Sequence, residues 1–109
     1  MDLDIRTEEK NGQDILYVGG EVDAYTAPQL RESLKPLTEK DIPNVIVDLA
    51  DVDYIDSTGL GIFIGALKSV NANEGSLKLI GLNARVKRLF SITGLDEVMD
   101  ISEEREEAK

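Results

Sequence analysis

Apolar and polar positions change period along this chain, and the changes mark its elements. Leu3 and Ile5 alternate weakly with polar neighbours over residues 3–9. Asn11-Gly12 is a turn dipeptide, and an apolar stretch resumes over residues 15–18. This predicts a β-hairpin that ends at Gly19-Gly20. Ala27, Leu30, Leu34 and Leu37 follow at spacings of three and four, one face of an amphipathic helix. Thr26 is placed to cap that helix, and Pro28 suits an early helical position. Pro36 is expected to kink the helix or end it early.

The run Val45-Ile46-Val47-Asp48-Leu49 is bounded by turn residues. It predicts a central strand buried on both faces, with a loop over residues 51–56 after it. Residues 58–73 predict a second helix with Leu60, Phe63, Leu67 and Val70 on one face, stopped by Asn73-Glu74-Gly75. A strand is expected over residues 77–80 and a short helix over 84–92, with Val86, Leu89 and Phe90 inward and Gly94 ending it. A last short strand is placed at residues 97–101, and residues 103–109 read as a solvated charged tail. The order is β-β-α-β-α-β-α with a final β. Strand alternating with helix implies an α/β fold with parallel pairing and right-handed crossovers.

Composition narrows the chemistry. The 109 residues fit one domain, expected to span residues 1–109. The chain has no cysteine and no histidine, which excludes disulfides, Cys or His zinc sites and Ser-His or Cys-His catalysis. A net charge of -10 disfavours nucleic acid and anionic membranes, and favours a basic protein partner. No secretory signal opens the sequence, and no segment approaches the roughly 20 apolar residues of a membrane span. The chain is therefore expected in the cytoplasm. No cofactor is expected.

The strongest candidate site follows the central strand: Asp51-Val52-Asp53-Tyr54-Ile55-Asp56-Ser57-Thr58-Gly59. In α/β sheets functional loops gather at the carboxyl ends of strands. Ser57 stands just before the helical pattern, in the position of an N-cap. A capping serine ordinarily does nothing more. Here the helix opens with Gly59 and Gly61 and repeats Gly65, each costing roughly 0.8–1 kcal/mol against alanine. Gly61 and Gly65 fit close packing of the helix on the sheet; Gly59 is harder to explain that way. A phosphate on Ser57 would meet free N–H groups and a positive helix end. It would also add a charge of about -1.5 to -2 among Asp51, Asp53 and Asp56. Glu21 and Asp23, in Gly20-Glu21-Val22-Asp23, are expected near this loop if their strand neighbours the central one.

Three ordered segments carry a family resemblance: Gly20-Glu21-Val22-Asp23-Ala24-Tyr25-Thr26-Ala27-Pro28, Asp56-Ser57-Thr58-Gly59-Leu60-Gly61, and Leu89-Phe90-Ser91-Ile92-Thr93-Gly94-Leu95. Through them the chain resembles the STAS-domain anti-sigma factor antagonists, most closely the general-stress, RsbV-type branch. The resemblance implies a single STAS-like α/β domain, with a mixed sheet of four or five strands and helices mainly on one face. It implies a regulator that is not an enzyme. In such a regulator the unphosphorylated protein binds an anti-sigma factor with serine kinase activity and frees the sigma factor. Phosphorylation of Ser57 dissolves the complex, and a metal-dependent serine phosphatase resets it. The implied partner-binding residues are Asp23, Asp56, Ser57, Thr58, Gly59 and Gly61, with Thr58 the second choice as phosphate acceptor. Val22 stands where many members carry Leu or Ile.

Two rivals belong to other classes. Asp51, Asp53 and Asp56 would be metal ligands in a magnesium-dependent phosphotransferase or a response-regulator receiver. Against this, no phosphate-binding lysine follows the loop closely, and there is no P-loop. A purely structural module of a larger assembly would share the fold without a phosphate cycle.

Overall fold

The computed structural model describes residues 2–102. The tail expected at residues 103–109 lies outside the described residues. Strands β1 (Asp4–Lys10) and β2 (Gln13–Val22) form the hairpin, with Asp4 opposite Gly19 and Lys10 opposite Gln13. The second strand does not stop at Gly19-Gly20. It runs on to Val22 because β3 (Asn44–Ile55) continues beside it in parallel. Gly20 takes φ of +111°, a backbone that few side chains tolerate, where the two strands fall out of even register.

Residues 45–49 are buried on both faces, as the apolar run required. The loop expected over residues 51–56 is instead strand as far as Ile55. Two bulges explain the difference. From Tyr17 to Gly19 on β2 the partner advances from Asp48 to Asp51, and from Gly20 to Glu21 it advances from Val52 to Tyr54. Each step inserts an extra residue into β3 and resets which face comes next. Leu49, Val52 and Ile55 all reach the core, three apart instead of two or four.

The remaining elements are α1 (Ala27–Thr38), α2 (Ser57–Ala72), β4 (Ser76–Ile80), α3 (Ala84–Ile92), a 3-10 turn (Leu95–Glu97) and β5 (Asp100–Ser102). Helix α1 passes through Pro36 without ending. Pro36 sits in the last turn, so its missing N–H deprives only the carbonyl of exposed Glu32. The last strand is shorter than expected and starts later, since the chain first makes the 3-10 turn.

Sheet order is β1-β2-β3-β4-β5, antiparallel at the first pair and parallel at the other three. Each parallel step moves in the same direction. Right-handed crossovers therefore place α1, α2 and α3 on one face. Beneath them Leu16, Val47 and Leu79 lie side by side in register, each with no solvent exposure. Phe63 of α2 meets Phe90 of α3 with ring centroids 6.0 Å apart. No helix among the described residues is long and apolar enough to cross a membrane. The same geometry starts all three helices at one edge, beyond the carboxyl ends of β2, β3 and β4.

Candidate functional site

The cap of α2 is Asp56, not Ser57. Asp56 has extended backbone (φ -101°, ψ -174°), and its side chain accepts a hydrogen bond from the Gly59 N–H at 3.0 Å. A carboxylate here satisfies one orphan amide and adds charge at the positive helix end. Ser57 is thereby moved to the first helical position, where it is exposed and takes no part in the cap. Thr58 beside it is also exposed.

The glycines divide differently from the sequence expectation. Gly59 is the packing glycine. A Cβ there would lie 2.7 Å from Val22 Cγ1 and 2.9 Å from Ile55 Cγ2, both on buried side chains. The start of α2 can rest on the ends of β2 and β3 only with a bare Cα at this position. Gly61 and Gly65 face open space, with nothing within 4 Å of an added Cβ. They line a groove between α1 and α2, bordered by Arg31 and Lys35. The groove continues past Ile62 to Thr58.

Asp23 organises the turn from β2 into α1. Its carboxylate accepts from the N–H groups of Tyr25 (2.9 Å) and Thr26 (3.0 Å). The Thr26 hydroxyl donates to the Glu21 carbonyl at 2.7 Å and accepts from the Asp23 N–H at 3.0 Å. Thr26 holds the N-cap position of α1 as expected, but its side chain makes no cap hydrogen bond because that oxygen is engaged in this turn. Backbone bonding, led by the Thr26 N–H, holds the Asp23 carboxyl below its ordinary range. The two strand ends are tied together, since the Asp56 N–H donates to the Val22 carbonyl at 3.0 Å.

One surface thus collects Asp23, Asp56, Ser57, Thr58 and, beneath them, Gly59. Gly61 lies one turn further along α2, on the groove. Glu21 is opposite Tyr54 in the β2–β3 ladder, which brings that acid to the same edge. Asp51 and Asp53 belong to β3 and not to a loop. Among the described residues, no group of three or more His, Cys, Asp or Glu is arranged to hold a metal ion. Sequence reasoning missed Asn83. Its amide donates to the Val52 carbonyl at 3.1 Å, and its oxygen caps α3 by accepting from the Val86 N–H at 2.8 Å. The signal was available: an asparagine directly before a helical pattern.

Comparison with known proteins gives a consistent result. The STAS domain family model matches residues 4–108. An anti-sigma-B factor antagonist of Staphylococcus epidermidis is 45% identical over 103 residues, covering 94% of this chain and 95% of that protein. The protein of the same name in Staphylococcus aureus is 43% identical over the same span and coverage. The fold is also that of a crystal structure of an anti-sigma factor antagonist from Mycobacterium paratuberculosis. That match has a TM-score of 0.83 at 24% identity, over 92% of this chain and 85% of that one.

Proposed function

The chain belongs to the STAS-domain family and is an anti-sigma factor antagonist, and on that premise we propose that Ser57 is its switch. The unphosphorylated protein binds an anti-sigma factor that is also a serine kinase. Binding releases the sigma factor, and so favours stress-response transcription. Phosphorylation of Ser57 ends the complex, and a metal-dependent serine phosphatase restores it. The whole chain acts as one cytoplasmic STAS domain with no catalysis of its own. Asp23, Asp56, Ser57, Thr58, Gly59 and Gly61 make or support the contact surface.

The observation that carries this reading is the division of labour between Asp56 and Ser57. Because the carboxylate holds the cap, the exposed serine hydroxyl is open to a kinase, and its modification leaves the helix start intact. A phosphate at the first helical position lies in the favourable field of the helix end, so the fold tolerates it. A docked partner does not. It would have to strip water from a group carrying about -1.5 to -2 charges, set beside the Asp56 carboxylate, and accommodate its bulk. The switch then works at the surface and needs no change of fold.

The direct test is incubation with the anti-sigma factor kinase and ATP, followed by mass mapping of peptides. A single phosphate on Ser57 is expected. Phosphate on another residue, or on none, overturns the assignment of the switch.

A further inference from the structure

The chain has five aromatic residues, three Tyr and two Phe. Phe63 and Phe90 fill the core, and Tyr17 lies against Arg6 and Glu8. The other two stand in water: Tyr25 is 79% exposed and Tyr54 is 44% exposed. Both belong to segments that flank Ser57, at the carboxyl ends of β2 and β3. Tyr25 follows the Asp23 turn, Tyr54 precedes Asp56 by two residues, and the Asp56–Val22 hydrogen bond joins the two segments. Neither ring belongs to the hydrophobic core.

We propose that Tyr25 and Tyr54 are the aromatic anchors of the anti-sigma factor interface, each receiving a cationic side chain of that partner. This rests on the reading of the Ser57 surface as the docking site. Tyrosine has the properties of an anchor: large contact area, few rotatable bonds and a ring face that attracts cations. The backbone at Tyr25 is already fixed, its N–H held by Asp23, so little order is lost on binding. An acid accompanies each ring: Asp23 holds the backbone N–H of Tyr25, and Glu21 is opposite Tyr54 in the β2–β3 ladder.

A tyrosine that receives a cation already occurs within the molecule. The Arg6 guanidinium lies 4.1 Å above the Tyr17 ring, and the Tyr17 hydroxyl donates to the Glu8 carboxylate at 3.0 Å. Tyr54, opposite Glu21 in the ladder and 44% exposed, offers a ring and an acid to a cation from outside. A second copy of this chain is a poor source, because it would bring the same acidic surface from a protein of net charge -10. A basic patch on the anti-sigma factor supplies it.

The test uses the full-length unphosphorylated protein and the anti-sigma factor of the same organism, titrated calorimetrically. Tyr25→Ala and Tyr54→Ala should each weaken binding by about tenfold or more. Tyr→Phe at either position should stay within about twofold, because it keeps the ring face. Tyr→Leu should resemble the alanine variant, because it keeps apolar area without the ring. Alanine variants that bind like wild type overturn the inference while leaving the Ser57 reading intact. Leucine variants as good as phenylalanine overturn the cationic occupant. Wild-type protein that does not bind the anti-sigma factor removes the docking surface, and this inference with it. Circular dichroism of the variants should match wild type, since both side chains are exposed.

Discussion

Gly59 and Val22 meet where any other residue at position 59 would place a Cβ, 2.7 Å from Val22 Cγ1. Val22 has no solvent exposure and Ile55, the other neighbour, is 3% exposed, so neither has room to move aside. Gly59→Ala should therefore push α2 off the strand ends and destabilise the protein by about 1–3 kcal/mol. Gly61→Ala and Gly65→Ala should instead stabilise it by about 0.4–1 kcal/mol each, because the space is open and alanine favours helix. Urea unfolding of the three variants checks this. A stable Gly59→Ala protein would show that the contact yields at little cost. Loss of partner affinity in Gly61→Ala would report on the interface, not on the fold.

Asp56→Ala removes the side-chain acceptor of the Gly59 N–H and should cost about 0.5–2 kcal/mol. Asp56→Ser restores a capping oxygen and should recover most of that loss. If the alanine variant unfolds at the same denaturant concentration as wild type, Asp56 is not an effective cap.

Substitution at Ser57 should separate binding from stability. Ser57→Ala should unfold like wild type, because the cap belongs to its neighbour, and should bind the anti-sigma factor even after incubation with kinase and ATP. Ser57→Asp should be as stable as wild type or slightly more so, from its place at the helix N-terminus. It should nevertheless bind poorly. Pull-down and thermal melting measure the two properties independently. Tight binding by Ser57→Asp would show that charge at this position is not the switch.

Asp23 predicts a pH dependence of definite sign. Its carboxyl titrates below the ordinary value of 3.8 in the folded protein, because backbone N–H groups bond its charged form. A depressed folded value stabilises the fold above the unfolded value, and the contribution disappears as pH falls through the folded one. The stability difference between wild type and Asp23→Asn should be level above about pH 5 and shrink below about pH 4. Urea unfolding at pH 7, 5, 4 and 3 follows it. A difference that stays constant to pH 3 would mean that the Asp23 charge contributes nothing to the turn.

Most elements were legible because their patterns are local. Helix α3 occupies the expected residues 84–92, and the buried run over 45–49 forms the centre of β3. The far half of β3 was hidden by its bulges. Inward residues at intervals of three match neither strand nor helix periodicity, so the segment resembled a loop. The extension of β2 was hidden for a related reason, since a pair of glycines looks like a strand end until a neighbouring strand holds it.

The sequence by itself determined the order of elements, the α/β class and the segment to examine. Each depends on spacing within a short window. It also placed Ser57 at a helix start, within one residue of its observed position. Only the tertiary structure decided that position. Whether Asp56 or Ser57 caps α2 depends on which backbone is extended, and the Asp56 N–H is fixed by Val22, thirty-four positions earlier in the chain. Gly59 follows the same rule: its cost to the helix is local, but the tighter of the contacts that justify it comes from Val22 on β2. Ser57 is an exposed hydroxyl released from capping because distant residues set the geometry of its neighbour.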